Sequence, residues 1–336
     1  MVPEMQIRYK DLIQGFTLIE LLVGMSLLTL IMTIAFNLFQ GSNRLVEADT
    51  SRVSAMQNAQ TALDIIANDL RQAGENLTTS GPSISGAEFN NATQSLIIRR
   101  GIAPMTASQV GNATDMISRR PDTLSICAVS TNRIQIIGPQ GSATTSTANC
   151  TYNPRADGDD VKAYTWRIYF ASQANQPQAA LLYRPPTSGS AASYAPIIVR
   201  TVSSVEPSLG VAVNLRKIWL EIVGSIPAGY SETNGSQVIL IDQRRYWVQD
   251  NQLKLAIAGQ TNEQSETVAF DVTGMQLSAS LLSPSAAVSN LAIDGPWKRV
   301  QSITAVLTAG SSGLGSGRLR TFQATVFPRN VSSEGR

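Results

Sequence analysis

Glu20 is the residue whose type and position could do chemistry in this chain, because it is the only charge in an apolar run from Phe16 to Phe39. An ionised carboxylate in hydrocarbon costs at least about 2.5–3.5 kcal/mol and therefore needs a cationic partner. A cut between Gly15 and Phe16 would create a free α-amine four residues before the glutamate. Within one helix the two groups are poorly placed to meet, but in neighbouring subunits shifted along a common axis they can pair. The spacing therefore predicts an assembly contact.

The run Gly-Phe-Thr-Leu-Ile-Glu at residues 15–20, followed by an apolar helix, closely resembles the type IV prepilin signature. This resemblance implies that a prepilin peptidase cuts after Gly15, removes the leader (residues 1–15) and methylates the Phe16 amine. It also makes Glu20 the assembly glutamate of an inner-membrane subunit with a periplasmic head that later joins a pilus at the cell surface.

The apolar run also fits two plainer interpretations, a secretory signal peptide and a simple membrane anchor. The run is longer than the roughly 7–15 apolar residues of a signal peptide. A plain anchor stays open, because about 18 apolar residues suffice to span a bilayer. A glycine directly before the Phe-Thr-Leu-Ile-Glu motif favours the prepilin interpretation.

Composition narrows the function classes. The chain has 336 residues, of which 43% are hydrophobic and 15% charged, enough for a packed core in one or two domains beyond an anchor. Its net charge of +2 gives no indication of a nucleic-acid partner. Histidine is absent, which removes the commonest general base and metal ligand, and no nucleophile–base pair is visible. We therefore expect neither an enzyme nor a cofactor.

A single helix is predicted over residues 16–74, because proline is absent from this stretch and helix-forming residues dominate it. Its length of roughly 85–90 Å exceeds what a bilayer needs. We predict that 16–39 spans the membrane, that 40–74 is amphipathic and packs on a head formed by 75–336, and that Gly74 ends the helix. The predicted apolar stripe comprises Leu45, Val53, Met56, Leu63, Ile66 and Leu70, with Asp49 and Gln60 in the gaps.

The head is predicted to be rich in β-strands, without a second long helix. Arg245–Gln249 and Gln252–Leu255, joined by Asp-Asn, form a hairpin candidate. The glycine-rich run 310–317 lacks the Lys-Ser/Thr of a phosphate-binding loop, so we interpret it as a hairpin loop. Loops are predicted at 75–89, 138–149 and 284–296, and the other strands at Ser95–Arg99, Thr123–Val129, Arg133–Ile137, Tyr164–Phe170, Ala180–Arg184, Ile197–Val202, Lys217–Val223, Val268–Leu282, Val300–Leu307 and Arg318–Phe327.

Three head motifs extend the resemblance. They are Asp-Leu-Arg-Gln-Ala-Gly at 69–74, Trp297 before an apolar strand, and Val-Phe-Pro-Arg-Asn at 326–330. Together they are similar to minor pilins of the PilW class, which resembles the J-type minor pseudopilin of type II secretion. The resemblance implies an α+β, type IV pilin-like fold, with one long helix packed on two antiparallel sheets. Major pilins usually carry a kinking proline in the membrane half of this helix, and its absence fits minor pilins and pseudopilins better.

Two residue groups in the head could form covalent or metal sites. Cys127 and Cys150 are the only cysteines, and outside the cytoplasm a disulfide between them would contribute roughly 3 kcal/mol. The alternative is two buried thiols. Asp157, Asp159 and Asp160 could present oxygens to a hard cation such as calcium, but they lack the ligand ladder of a known calcium loop. A solvated turn is the favoured interpretation, so no metal site is predicted.

Basic and aromatic residues offer a nucleic-acid hypothesis that the near-neutral charge does not favour. Converging basic pairs could contact DNA, whereas dispersed, solvated arginines are the default. We expect the tryptophans to be core residues rather than a stacking platform. The basic pairs are Arg99-Arg100, Arg119-Arg120, Arg244-Arg245 and Lys298-Arg299, and the tryptophans are Trp166, Trp219, Trp247 and Trp297.

The expected function is that of a structural subunit, a minor pilin that helps to initiate or cap a type IV pilus for twitching motility, adhesion or DNA uptake. Expected partners are other minor pilins and the major pilin through their N-terminal helices, the prepilin peptidase, the inner-membrane assembly platform and a tip adhesin. Two alternatives stay open: a minor pseudopilin of a type II secretion system, and a membrane-tethered periplasmic binding protein or hydrolase.

Overall fold

One helix, α1 (Leu18–Arg71), precedes a series of antiparallel strands. The computed structural model describes residues 17–77, 84–102, 121–138, 150–155, 158–206, 216–257, 264–282, 286–310, 319–329 and 331. The chain divides into two units, one up to Ser54 and one from Ala55 onward. A long helix followed by a head of antiparallel sheets confirms the predicted α+β class.

After α1 the elements follow in a fixed order, with strands of two to thirteen residues and one further α-helix in the described ranges. They are β1 (Ala87–Asn90), β2 (Ser95–Gly101), β3 (Leu124–Ser125), β4 (Ala128–Val129), β5 (Arg133–Ile137), α2 (Val161–Ser172), β6 (Gln178–Arg184), β7 (Ser193–Val202), β8 (Ile218–Val223), β9 (Gln237–Gln249), β10 (Gln252–Ile257), β11 (Glu266–Phe270), β12 (Val272–Leu281), β13 (Ala286–Val288), β14 (Asn290–Leu291), a 3-10 turn (Trp297–Arg299), β15 (Val300–Ala309) and β16 (Arg320–Val326).

The first unit contains α1 as far as Ser54, and every residue from Thr17 to Ser54 is exposed. In the second unit α1 buries a face rich in alanine, which differs from the predicted stripe. Leu45 and Val53 lie outside this face and are 67% and 50% exposed. Four of its eight buried residues are alanines, whereas these two larger residues of the predicted stripe are exposed, so apolar character alone does not decide burial here. The buried residues of α1 are Ala55, Ala59, Ala62, Leu63, Ile66, Ala67, Asp69 and Leu70.

Strand β9 organises the larger sheet, which contains twelve strands. Residues 241–247 of β9 pair with β2 and 244–249 with β10, while 237–240 pair with β6. The same strand therefore contributes to two cores. Tyr246 packs in a core with the end of α1, and Val238 and Leu240 pack in a core beneath α2.

The smaller sheet has the order β13-β12-β15-β16 and faces the core that contains α1. Side-chain amides from the turn between β1 and β2 bind the backbone of β12. Asn91 donates from Nδ2 to the Leu277 carbonyl (2.9 Å) and accepts from the Leu277 N–H (2.9 Å). Gln94 accepts from the Met275 N–H (3.0 Å). These amides replace a neighbouring strand and connect the two sheets.

Helix α2 shows that the strand predicted at Tyr164–Phe170 was wrong. The Asp160 carboxylate accepts hydrogen bonds from the N–H groups of Lys162 (2.9 Å) and Ala163 (3.1 Å) and so caps the helix. Ala163, Trp166 and Phe170 are buried at helical spacings of three and four. The aromatic and β-branched composition favours a strand, but the cap and the apolar spacing favour a helix.

Other boundaries also differ from the predictions. β1 begins within the predicted loop 75–89, and β13 and β14 lie within the predicted loop 284–296. β9 begins at Gln237, eight residues before the predicted start, and Thr123–Val129 is divided between two short strands. The β9–β10 hairpin is confirmed, with positive φ at Asp250 and Asn251 as a type I′ turn requires. Residues 139–149 and 311–317 of the remaining predicted loops lie outside the described residues.

Candidate assembly segment

The first turn of α1 contains a reciprocal cap between Thr17 and Glu20. The Glu20 carboxylate accepts hydrogen bonds from the Thr17 backbone N–H (3.1 Å) and hydroxyl (2.9 Å), and the Glu20 N–H donates to the hydroxyl (3.4 Å). This is a capping box, in which paired side chains satisfy backbone donors that a helix start leaves free. Sequence reasoning did not assign this role to Thr17, although the Thr-x-x-Glu spacing indicates it.

The cap lies C-terminal to the predicted cleavage point. Gly15 and Phe16 lie outside the described residues, so the predicted cleavage and N-methylation sites stay predictions. The peptide bond between Phe16 and Thr17 would survive a cut after Gly15, so a processed chain would keep every atom of the cap. Glu20 therefore has a partner within its own helix before any neighbour arrives.

The apolar segment of α1 is long and apolar enough to cross a membrane, and none of it is buried. Leu18 and Phe39, near its two ends, are 80% and 62% exposed. Its hydroxyl groups bond within the helix: Thr29 donates to the Met25 carbonyl (2.6 Å) and Thr33 to the Thr29 carbonyl (2.8 Å). These hydroxyls need no outside partner in an apolar medium. Glu20 is the charged group of this segment, and its hydrogen-bond partner in the helix, Thr17, is neutral.

An ion pair with the buried Asp69 carboxylate fixes the last turn of α1 to β9. The Asp69 carboxylate, 3% exposed, accepts from Arg244 Nη1 at 2.9 and 3.0 Å and from the Tyr246 hydroxyl at 2.6 Å. Burial, and then the hydrogen bond to Asp69, raise the pKa of Tyr246 well above its usual range. The hydroxyl therefore remains a donor, and the carboxylate keeps three hydrogen bonds.

A second polar contact lies one turn further along the chain. Arg100 on β2 donates to the side chain of Gln72 and forms an ion pair with Asp242 on β9. Asp242 and Arg244 are two residues apart on β9, so the two ion pairs are neighbours along this strand. Opposite charges alternate along β9, where Arg244 binds Asp69 directly and Asp242 is joined to Gln72 through Arg100. These contacts specify the register of the helix end on the sheet.

Gly74 allows the chain to pass closely beneath Trp297. Its φ is +79°, in the left-handed region that glycine tolerates, and a Cβ at this position would lie 2.7 Å from Trp297 Nε1. The Gly74 N–H donates to the Arg99 carbonyl (2.9 Å), and the Arg329 N–H donates to the Arg71 carbonyl (3.3 Å). The three head motifs of the sequence analysis therefore meet around the C-terminal end of α1.

The cysteine and aspartate candidates have structural roles. Cys127 and Cys150 form the predicted disulfide, with Cα atoms 5.8 Å apart. Asp160 caps α2 and accepts a third bond from the Asn153 N–H (2.7 Å), while Asp159 forms an ion pair with Arg167. Asp157 lies outside the described residues, and within the ranges described no cluster of three or more metal-ligating side chains occurs. Burial raises the pKa of Asp160.

Several candidate DNA-contacting arginines have acidic partners within the head. Arg99, 1% exposed, pairs with Glu88, Arg100 pairs with Asp242, and Arg244 pairs with Asp69. Residues 119 and 120 lie outside the described ranges. Trp166, Trp247 and Trp297 are buried, and the Arg133 guanidinium lies 5.0 Å from the Trp219 ring centroid.

Residues 12–36 match the family described as the prokaryotic N-terminal methylation motif. The segment is a type IV pilin or pseudopilin signal. It includes Glu20 and most of the exposed apolar part of α1, and the two together fit a membrane-anchored protein. Comparisons with curated proteins and with solved structures give no match. The match to a pilin or pseudopilin signal therefore covers residues 12–36 of the chain.

Proposed function

We propose that this chain is a minor pilin of the PilW class, a structural subunit that helps to initiate or cap a type IV pilus. The observation that carries the proposal is the methylation motif at 12–36, with Glu20 as the charge of an exposed apolar helix. The absence of proline between residues 16 and 73 supports a minor rather than a major pilin. The pilus would serve twitching motility, adhesion or DNA uptake.

Assembly in this proposal is an exchange of partners at Glu20. Prepilin peptidase cuts after Gly15 and methylates Phe16, while the head lies in the periplasm and the helix crosses the inner membrane. The Glu20 carboxylate, held by Thr17 in the isolated chain, then moves to the Phe16 ammonium of a neighbouring subunit. An ion pair in an apolar medium is stronger than a bond to a neutral donor, so the exchange is favourable.

The proposed partners contact different parts of the chain. Other minor pilins and the major pilin pack against the exposed apolar segment, and the inner-membrane assembly platform and prepilin peptidase act on the subunit before it enters the fibre. A tip adhesin or DNA would contact the head. The subunit works by packing and is not an enzyme.

Substitution of Glu20 tests the proposal in cells that carry the native pilus system. Glu20→Ala, and separately Gly15→Leu, should abolish pili on the cell surface as counted by electron microscopy. Glu47→Ala is the matched control, because Glu47 is an exposed glutamate of the same helix outside the apolar segment. Normal pili in both Glu20→Ala and Gly15→Leu cells would contradict the proposal.

Mass spectrometry of the chain from membranes gives a second measurement. A processed subunit should begin at N-methylated Phe16, whereas an intact Met1 would support a membrane-tethered binding protein. The methylation motif is equally a pseudopilin signal, so a J-type minor pseudopilin is the second candidate. Loss of protein secretion with pili intact in Glu20→Ala cells would favour that candidate.

A further inference from the structure

The segment from Asp271, just before β12, to Arg329 has an excess of positive charge. It contains five basic and two acidic residues, whereas the whole chain has 26 and 24. All four strands of the smaller sheet lie in this segment. The acids are Asp271 and Asp294, and in the described ranges neither forms an ion pair. A chain of nearly neutral total charge therefore has one locally basic region. Its basic residues are Lys298, Arg299, Arg318, Arg320 and Arg329, of which Arg318 lies outside the described residues.

Three exposed arginines converge around the C-terminal end of α1. Arg71 lies in the last turn of the helix, and its carbonyl accepts a hydrogen bond from the Arg329 N–H (3.3 Å). Arg299 follows Trp297, whose ring lies against Gly74, three residues after Arg71. Within the described part of the chain none of the three arginines forms an ion pair. Arg71, Arg299 and Arg329 are called the basic cluster below.

The helix dipole accounts for one of these charges. A cation in the last turn offsets the partial negative charge of a helix end and contributes about 0.3–1 kcal/mol. Arg71 occupies that position, so Arg299 and Arg329 have no such role to explain them. Glu75 is the exposed acid nearest to Arg71 in the sequence, and it leaves the basic cluster with a net positive charge.

Strand β16 leads from a fourth exposed arginine, Arg320, toward the basic cluster. Arg320 and Val326, the two ends of the strand, are about 20 Å apart, and Arg329 follows three residues later. One edge of β16 pairs with β15, and no strand occupies the other edge in the ranges that the structure describes. The strip along β16 therefore has cations at both ends and no acid between them. Its exposed side chains are uncharged hydrogen-bonding groups, those of Thr321, Gln323 and Thr325.

We propose that double-stranded DNA lies along β16, with its phosphates bound by the basic cluster at one end and by Arg320 at the other. Guanidinium groups bind phosphate through paired hydrogen bonds, and threonine and glutamine side chains also contact the backbone. At about 3.4 Å per base pair, the strip covers at least about six base pairs. All these contacts are to the backbone, so no base sequence is preferred. The proposal rests on the proposed function, in which DNA is one ligand of the head.

The salt dependence of binding counts the phosphate contacts. The probe is a fluorescent duplex of about 20 base pairs, and its anisotropy is measured with the full chain in phosphatidylcholine nanodiscs. Four contacts predict a slope of about −3.6 for the logarithm of the association constant against the logarithm of the salt concentration. Binding should accordingly be about 100-fold weaker at 200 mM than at 50 mM salt.

A triple variant of the basic cluster tests which residues make these contacts. It should reduce the slope by about 2.7 and weaken binding at about 50 mM salt by more than about 100-fold. An intact Cys127–Cys150 bond and an unchanged unfolding midpoint show that its head is folded. The substitutions are Arg71→Gln, Arg299→Gln and Arg329→Gln.

A second triple variant is the matched control. It removes the same net charge from three exposed arginines of α1 and β7, which lie apart from β16. The slope should stay within about 0.5 of that of the unsubstituted chain, because no phosphate contact is lost. The substitutions are Arg44→Gln, Arg52→Gln and Arg200→Gln.

The path of the DNA is tested with one added negative charge. Gln323→Glu places a carboxylate midway along the strip, where it would repel a phosphate and weaken binding about 5-fold. Gln176→Glu makes the same change at an exposed position after α2 and should leave the affinity unchanged.

Three outcomes would overturn the proposal. One is the absence of duplex binding by the unsubstituted chain at about 50 mM salt. Another is an equal loss of slope in the two triple variants, which shows a response to net charge rather than a site. The third is an equal effect of Gln323→Glu and Gln176→Glu, which shows that DNA does not follow β16. These measurements use purified protein without pili, so their failure would be distinct from failure of the Glu20→Ala test of the proposed function.

Discussion

Replacement of Asp69 by alanine measures how strongly the end of α1 is held on the head. The substitution leaves the buried Tyr246 hydroxyl without its acceptor, which costs about 1–3 kcal/mol. It also removes the ion pair with Arg244, whose side chain is 30% exposed and can turn toward water, so we assign this loss about 1 kcal/mol. We expect the free energy of unfolding of the head to fall by about 2–4 kcal/mol.

Tryptophan fluorescence during urea or thermal unfolding is the assay, because all four tryptophans lie in the head. At about 2–4 °C per kcal/mol, the melting temperature of the full chain should fall by roughly 4–16 °C. Asp64→Ala is the matched control, since Asp64 is an exposed aspartate of α1 whose side chain accepts only a 3.4 Å bond from Gln60. Its effect should stay within about 0.5 kcal/mol.

A double-mutant cycle with Tyr246→Phe separates the hydroxyl from the rest of the network. Without that hydroxyl, Asp69→Ala no longer leaves a buried tyrosine donor unpaired, so its cost should fall by about 1–2 kcal/mol. Two results would refute the reasoning. One is an Asp69→Ala effect no larger than that of Asp64→Ala, and the other is strict additivity of Asp69→Ala and Tyr246→Phe.

Gly74→Ala should lower the free energy of unfolding by more than about 1–2 kcal/mol, since the left-handed backbone alone costs that much and the new Cβ would lie 2.7 Å from Trp297 Nε1. Gly41→Ala, with open space around it, should leave the midpoint of tryptophan-detected unfolding unchanged. Stability should also decline between about pH 10 and 12. Burial, and then the charge of Asp242, raise the pKa of Tyr169 to about 12, so the folded state keeps a proton that the unfolded state has lost. Unfolding midpoints measured at about pH 8 and pH 11 report this decline, and Tyr169→Phe should reduce the difference between them. An equal difference in Tyr169→Phe and in the unsubstituted chain would contradict the assignment.

Features that depend on residues close together in the sequence could be predicted. The Asp-Asn turn after Gln249 has one common hairpin solution, and two cysteines leave one pairing within the chain. The apolar run around Glu20 can be recognised from its own residues, without reference to any contact in the head. The Thr17 cap was equally local, and the Thr-x-x-Glu spacing could have revealed it.

Features that depend on distant partners could not be predicted. In the sequence, Asp69 is only a polar residue near a helix end. Its role depends on Arg244 and Tyr246, which lie about 175 residues further along the chain. The helix at Trp166 illustrates the limits of composition, because its aromatic residues have strand propensity until burial selects the helical period. The early part of β9 was not predicted because residues 238–241 form a continuous apolar run, without the apolar–polar alternation that identifies a half-exposed strand.

The late position of β9 in the chain has a consequence for biogenesis. Both β2 and β6 rely on residues 237–249 for backbone hydrogen bonds, yet they are synthesised well before these residues. Until β9 has been synthesised, β2 and β6 lack this strand as a pairing partner. The incomplete head is therefore most susceptible to proteolysis and aggregation at that stage. Synthesis to a point beyond Gln249 should thus coincide with the first protease-resistant intermediate.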